Sequence, residues 1–294
     1  MVKKADPIVS RLAPTPSGYL HIGNVFSFVL TWLLVRQNGG RLHLRIDDLD
    51  KERVRKEYLE NIFETLDWLG LSYDSGPTGV EDFVKNHSQY LRMDMYRDAF
   101  DELKVKADLF SCTCSRRQLA GKPYTGTCYA NVRIGKDKNI RIRTRDVRER
   151  DDSLLSDQKI ALNDALKDFI VWRKNDVPSY QLASLVDDMY YNTNYVVRGT
   201  GLLASTAAQL LLAEKISAGT FLQATFIHHP LLTIRNEKIS KSQDHPSVFE
   251  EFRTPRDVFI YIGRILGLSE DESESLDLLR ANFNFEKFKH QVNA

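Results

Sequence analysis

The apolar positions of this chain change period several times, and each change predicts an element. Pro7-Ile8-Val9 is a short apolar run that reads as a strand. It is followed by the Pro/Gly-rich stretch Ser10 to Asn24 and then by Val25 to Gln37, apolar almost all round, which predicts a helix buried against a sheet. Gly39-Gly40 predicts its end. Arg41 to Asp47 alternates polar and apolar residues with period two, a strand pattern, and leads into Asp47, Asp48 and Asp50. In Lys51 to Leu69, Val54, Tyr58, Ile62 and Leu66 share one helical stripe. Strand, helix, strand, helix with short connections predicts a parallel α/β sheet, whose ligands sit at the carboxyl ends of the strands. The loop at Ser10 to Asn24 and the Asp47 cluster both fall there.

A further amphipathic helix is expected from Asn86 to Leu103, after which the character of the chain changes. Residues 106 to 167 hold all three cysteines, Gly121, Pro123 and Gly126, then a basic stretch from Arg133 to Arg150 with eight Lys/Arg against three Asp/Glu. Arg141, Arg143 and Arg145 alternate with Ile140 and Ile142 on one expected strand face, either a solvated surface or a contact for a phosphate backbone. Apolar strands are expected to resume at Phe169 to Trp172, Leu182 to Val186 and Tyr195 to Val197, with a further strand at Ala224 to Ile234. Ser205 or Thr206 is expected to cap a helix running to about Ile216. The α/β sheet thus resumes after an insertion. The last fifty residues read as helical, with Thr254-Pro255 and the Ser269 to Glu272 capping box as start signals.

Composition narrows the class. At 294 residues the chain can bury a large core. Its net charge of +1 does not advertise a nucleic-acid binder, although a local basic patch is compatible with it. The longest apolar run, Val25 to Val35, is too short to span a bilayer, and no signal-peptide pattern follows the basic N-terminus, so a cytoplasmic protein with no membrane partner is expected. Three cysteines confined to Cys112 to Cys128 point to a metal site rather than a disulfide framework.

Two stretches carry the candidate chemistry. The first loop joins a strand to a helix start, which favours a phosphate or carboxylate, and it offers Arg11, Thr15, Ser17 and His21 as donors. The second is Lys238-Ile239-Ser240-Lys241-Ser242, where two lysines flanking small hydroxyl residues supply charge for a polyphosphate.

Together these resemble the two signatures of the class I aminoacyl-tRNA synthetases, here His21-Ile22-Gly23-Asn24 and Lys238 to Ser242. Arg11-Leu-Ala-Pro-Thr-Pro-Ser-Gly-Tyr-Leu-His-Ile-Gly23, Leu44-Arg-Ile-Asp-Asp-Leu-Asp50, Pro178 to Asp188 and Val197-Arg-Gly199 resemble the glutamyl branch, from residue 8 to about 250. The resemblance implies a Rossmann-like parallel sheet split into residues 1–105 and 188–245. A zinc-bearing α+β domain of the acceptor-binding type is inserted at 106–187, and a short C-terminal helical region occupies 246–294. It implies ATP- and Mg²⁺-dependent activation of glutamate to glutamyl-adenylate and transfer to tRNA. Arg11, Ala13, Thr15, Asp47, Tyr180 and Arg198 would bind glutamate; His21, Gly23, Asn24, Lys238, Ser240 and Lys241 would bind ATP. His21, Lys238 and Lys241 would act in catalysis. Asp47 stands where the family has Glu, Ser184 where many glutamyl enzymes have Asn, and Asn24 replaces the last His of its signature.

The short segment after Lys241 resembles a truncated paralogue that attaches glutamate to the queuosine base of the tRNA for aspartate; a short enzyme charging the tRNA for glutamate, or a synthetase-like protein without transfer activity, is the alternative. The pattern Cys112-x-Cys114, Tyr124-x-x-x-Cys128 resembles that paralogue's zinc site, with Tyr124 or a water as fourth ligand. A monomer is expected, as is common in this branch.

Overall fold

The structure is a computed structural model describing residues 7–114, 116–119, 124, 126–131, 134–135, 137–144, 168–234, 237–238 and 246–293. Strand β1 (Val9–Leu12) leads into helix α1 (Ile22–Gln37), which returns to strand β2 (Arg41–Leu44), parallel to β1 with Val9 opposite Arg41. Eleven residues of α1 are buried, from Ile22 to Val35, as a helix without a polar face requires. Gly39, at φ 62°, breaks the helix directly after its cap residue Asn38. Helix α2 (Lys56–Trp68) follows, then α3 (Met93–Lys106).

The second parallel pair comes late in the chain. Strand β6 (Tyr195–Gly199) runs parallel to β7 (Thr225–His229), connected by helix α5 (Leu203–Lys215). The two pairs meet where the Val9 amide donates to Asn194 Oδ1 at 2.8 Å and the Asn194 amide donates to the Val9 carbonyl at 3.0 Å. Between them in sequence lies an antiparallel sheet of β3 (Leu109–Cys112), β4 (Asn139–Ile142) and β5 (Ile170–Trp172), followed by helix α4 (Tyr180–Tyr190). A small hairpin pairs β8 (Thr233–Ile234) with β9 (Glu237–Lys238). Helices α6 (Pro255–Ile265), α7 (Leu276–Asn282) and α8 (Phe285–Asn293) close the chain. Among the described residues no helix is long and apolar enough to cross a membrane.

Two apolar clusters hold these layers. One packs α1 between β1, β2 and the C-terminal helices, through Phe26, Leu33, Val258, Ile262 and Phe288. The other joins α3, the antiparallel sheet, α4, α5 and β7 through Tyr96, Ile140, Trp172, Leu182, Leu212 and Phe226.

Several elements differ from expectation. Leu182 to Val186 is helical, inside α4, rather than a strand: Ser179 caps the helix by accepting from the Leu182 amide at 3.4 Å, and short apolar runs do not by themselves separate strand from buried helix. Helix α3 begins at Met93, after a π-helical turn at Phe83–His87 and a 3₁₀ turn at Gln89–Arg92. Ala224 to Ile234 is interrupted after His229, at Pro230. Helix α5 starts at Leu203, and Thr206 Oγ1 bonds inward to the Leu202 carbonyl and His228 Nε2 instead of capping. Thr254 and Asp257 do cap α6 reciprocally, with Pro255 in its first turn. Ser269 and Glu272 bond as expected, but they close a turn, and the next helix starts after Ser275.

Candidate active site

The carboxyl ends of β1, β2 and β6 bring a dense cluster of ions together. On β1, Arg11 is buried and donates from Nε to Asp188 Oδ1 at 3.0 Å. Just beyond β2, the guanidinium of Arg45, with its side chain only 1% exposed, grips Asp47 at 2.7 and 3.2 Å, Asp188 Oδ1 at 2.6 Å and Ser184 Oγ at 2.9 Å. Tyr180, Ser184 and Asp188 sit four residues apart along α4, which places them on one helical stripe. Asp187 accepts from Arg92 Nε at 2.7 Å, the Tyr96 hydroxyl at 2.7 Å and Gln89 Nε2 at 2.8 Å, and its Oδ2 lies 4.0 Å from Arg45 Nε. Asp48 is likewise satisfied, by the Ser88 hydroxyl at 2.5 Å and the Gln89 amide at 2.8 Å.

On β6, Arg198 is buried beside Tyr180, Arg11 and Asp188. Its Nη2 donates to Gln209 Oε1 at 2.8 Å, while Nε and Nη1 are buried with no partner. Burial lowers its pKa to about 10, so it stays cationic at neutral pH. Burial would raise the Asp188 carboxyl, but Arg11, Arg45 and Arg198 together hold it below the ordinary range. Its Oδ2 is buried without a partner. Burial pushes the Asp47 carboxyl up, against the pull of Arg45. An arginine with two unsatisfied buried nitrogens is expensive unless an anion completes it, and a carboxylate fits that fork.

The loop after β1 lies over this cluster. The Pro14 carbonyl accepts from the Asp47 amide at 2.9 Å, which sets the neighbouring Ala13 and Thr15 beside the acid. Asn61 Oδ1 accepts from the Leu20 amide at 2.8 Å and the Leu20 carbonyl accepts from the Val248 amide at 2.8 Å, pinning the loop from both sides. His21 is the N-cap of α1: its Nδ1 accepts from the Gly23 amide at 3.1 Å, and Asn24 Oδ1 accepts from the His21 amide at 3.2 Å. An accepting Nδ1 puts the proton of the neutral ring on Nε2. Asn24 therefore acts on the loop backbone, a capping role that asparagine fills well.

The three cysteines converge. Their sulfurs all lie within 4.8 Å of one another, with Cys114 and Cys128 at 3.6 Å. A tetrahedron with metal–sulfur bonds of ~2.3 Å has sulfur–sulfur edges of about 3.8 Å, so the spacing fits a zinc-sized ion. The Tyr124 oxygen closes the group, accepting from the Cys128 amide at 2.5 Å. Burial and the neighbouring thiols push Cys114 up to about 11. Burial acts the same way on Cys128, but the Thr113 amide and the Tyr124 hydroxyl outweigh it and bring that thiol down to about 7. Burial also raises the Tyr124 phenol, which works against a phenolate in the metal-free chain.

Comparison with known proteins settles the family. Residues 7–276 match the family described as "tRNA synthetases class I (E and Q), catalytic domain". The chain belongs to the class I tRNA synthetases of the E and Q type. The "Glutamyl-Q tRNA(Asp) synthetase" of Nitratidesulfovibrio vulgaris is 34% identical over 282 residues, covering 88% of this chain and 84% of its own. The protein of that name from Symbiobacterium thermophilum is 36% identical over 248 residues, 76% of this chain and 75% of its own. The crystal structure of a glutamate-tRNA synthetase from Elizabethkingia anophelis has the same fold, with a TM-score of 0.74 at 22% identity over 95% of this chain and 66% of that one.

Within this family's fold, Arg11, Asp47, Tyr180 and Arg198 come together from four elements, with Ala13 and Thr15 beside them and His21, Gly23 and Asn24 at the start of α1. Lys238 lies on β9; Ser240, Lys241 and the rest of their loop lie outside the described residues, as does Arg145. Arg141 and Arg143 are not a phosphate-contacting face. The Arg141 guanidinium stacks over Tyr124 at 4.4 Å and donates to the Asp168 carbonyl at 2.7 Å; that of Arg143 stacks over Tyr129 at 4.8 Å and donates to its carbonyl at 2.5 Å. The pleat placed them together, and the aromatic residues of the cysteine-bearing segment turned them inward. Sequence reasoning passed over Arg45, Asp187 and Asp188 as site residues. The period-two pattern Arg41, His43, Arg45 and the four-residue spacing Tyr180, Ser184, Asp188 were the available signals.

Proposed function

We propose that this protein activates glutamate with ATP and transfers it to the queuosine base in the anticodon of tRNA(Asp). The observation that carries this is the buried ion cluster: Arg198, with two unsatisfied nitrogens, beside Tyr180 and the buried Arg11 that is paired with Asp188, in a chain of the E and Q family. A glutamate side chain supplies the carboxylate that Arg198 lacks. Ala13 and Thr15 line its approach, and Asp47 and Asp188 supply negative charge for its ammonium group. The relatives that carry the name glutamyl-Q tRNA(Asp) synthetase support the choice of acceptor.

In this reading His21 donates from Nε2 to the ATP phosphates, while the Gly23 amide fixes the ring through Nδ1 and Asn24 holds the His21 backbone amide. Lys238, Ser240 and Lys241 bring positive charge and hydrogen-bond donors to the α-phosphate as the glutamate carboxylate attacks it. Bound Mg²⁺ would supply further positive charge to the ATP phosphates. Zinc held by Cys112, Cys114 and Cys128, with Tyr124 or a water completing the tetrahedron, folds the cysteine-bearing segment. That segment, 106–187, interrupts a Rossmann-like unit of residues 1–105 and 188–245, the division falling inside α4. Residues 246–294 form the helical C-terminal region, and the enzyme works as a cytoplasmic monomer.

The test is ATP–pyrophosphate exchange with each amino acid in turn and no tRNA. Exchange with glutamate is expected; exchange with none, or with an uncharged amino acid alone, overturns the reading.

A further inference from the structure

The amino-acid pocket carries one more buried positive charge than negative, and without Arg45 the two would balance. The cations that face the pocket are Arg11, Arg45 and Arg198, each at most 5% exposed; the anions are Asp47 and Asp188. The other ionisable groups packed around it do not change the balance. Asp187 lies 4.0 Å from Arg45 Nε but is balanced by Arg92, from which it accepts at 2.7 Å, with Tyr96 and Gln89 as its other donors; Asp48 is bonded to Ser88 and Gln89 and pairs with none of the three arginines. Burial lowers His43 to about 4 and His228 to about 3, so both are neutral. Both oxygens of Asp47 accept from the Arg45 guanidinium, the fork geometry of a carboxylate.

Three guanidiniums against two carboxylates leave a charge of one positive unit among buried side chains. Zwitterionic glutamate carries one net negative charge and brings the sum to zero; glutamine carries none and leaves a buried cation uncompensated. We propose that Arg45, held by Asp47, Asp188 and Ser184, is the specificity-determining residue that sets the charge of this pocket and thereby its choice of glutamate over glutamine. This rests on the glutamate-activation reading above. Arg45 acts through its partners rather than by touching the reacting atoms, and is a positioning residue.

Two departures from the family pattern then become one unit. Serine at 184 is short enough to leave room for the Arg45 head and accepts from its Nη2, and aspartate at 47 is short enough to close the fork from the other side. The shorter acid is spent on Arg45, and the Oδ2 of Asp188 is the acceptor left open in the pocket.

The measurement is the ratio of kcat/KM for glutamate to that for glutamine in ATP–pyrophosphate exchange. Arg45→Gln removes the surplus charge, and Ser184→Asp cancels it by setting a carboxylate against Arg45 Nη2. Each is expected to lower the ratio by ~10-fold or more, since the uncompensated charge then falls on the glutamate complex. Arg45→Lys keeps the charge and is expected to keep the ratio while raising KM. The double variant Arg45→Gln/Asp47→Asn also keeps the net charge and is expected to regain the preference. Should Arg45→Gln fail to fold, Ser184→Asp decides, because it retains every existing ion pair. A wild-type ratio in folded Ser184→Asp overturns the proposal, as does a double variant no more selective than Arg45→Gln. A wild-type enzyme without glutamate-dependent exchange overturns the underlying reading and this proposal with it.

Discussion

Asp188→Asn perturbs the site at its most connected atom. One oxygen, Oδ1, accepts from Arg11 at 3.0 Å and from Arg45 at 2.6 Å, and the side chain is 1% exposed. Removing one partner of a buried pair leaves a stranded cation, at a cost of ~3–5 kcal/mol. Asparagine keeps a carbonyl acceptor at the same place, which sets the expectation at the lower end, about 3 kcal/mol. At roughly 2–4 °C per kcal/mol for a chain of this order of size, the melting temperature should fall by about 6–12 °C. The loss should depend on pH in a defined direction. The folded Asp188 carboxyl is held below its ordinary value by three arginines, so its contribution is complete above the unfolded pKa of ~3.9 and disappears as the pH falls through the folded value. Thermal melts of both proteins between pH 7 and the acid limit of folding check this. The gap should be constant from neutral pH to about pH 5 and should close below ~4. A gap under ~1 kcal/mol at pH 7, the size of an exposed pair, would refute the buried-pair account, and so would a gap that persists unchanged in acid.

Three further outcomes follow from the structure. Metal analysis of the purified protein should find one zinc per chain, bound by the cysteine cluster; Cys114→Ser should release it and make the cysteine-bearing segment sensitive to protease, whereas zinc retained by Cys114→Ser would argue against the cluster. Arg141→Met should lower stability by about 3 kcal/mol, from the lost stack on Tyr124 and the lost bond to the Asp168 carbonyl; the salt dependence of tRNA binding should not change, and a shallower slope would return Arg141 to the phosphate-contacting role. Lys241→Ala should slow glutamate-dependent exchange by ~10²–10³-fold with the folded-state spectrum unchanged, and a near-normal rate would remove that lysine from catalysis.

The parts of the fold that are legible in the sequence are those with one dominant local signal. Val25 to Gln37 has no polar face and can only be a buried helix, and Thr254-Pro255 offers both a cap and a fixed φ at a helix start. Leu182 to Val186 carries no such signal: five small and apolar residues suit a strand as well as a helix, and the cap at Ser179 decided the matter. The site divides in the same way. His21 and the glycine after it stand in a signature, whereas Arg45 and Asp188 matter because of what they touch from 143 positions apart. Pairings at that range are fixed by topology, and single-sequence patterns do not contain them. Arg141 and Arg143 show the converse. Their spacing correctly placed them on one face, but only the packed aromatic rings determined that this face looks inward.

The central claim is the acceptor, and transfer of labelled glutamate tests it most directly. The enzyme, ATP and labelled glutamate are incubated with tRNA(Asp) carrying queuosine, with the same tRNA lacking it, and with tRNA(Glu). Label on the queuosine-bearing tRNA(Asp) alone is the predicted result. Label on tRNA(Glu), or on tRNA(Asp) regardless of queuosine, would contradict it.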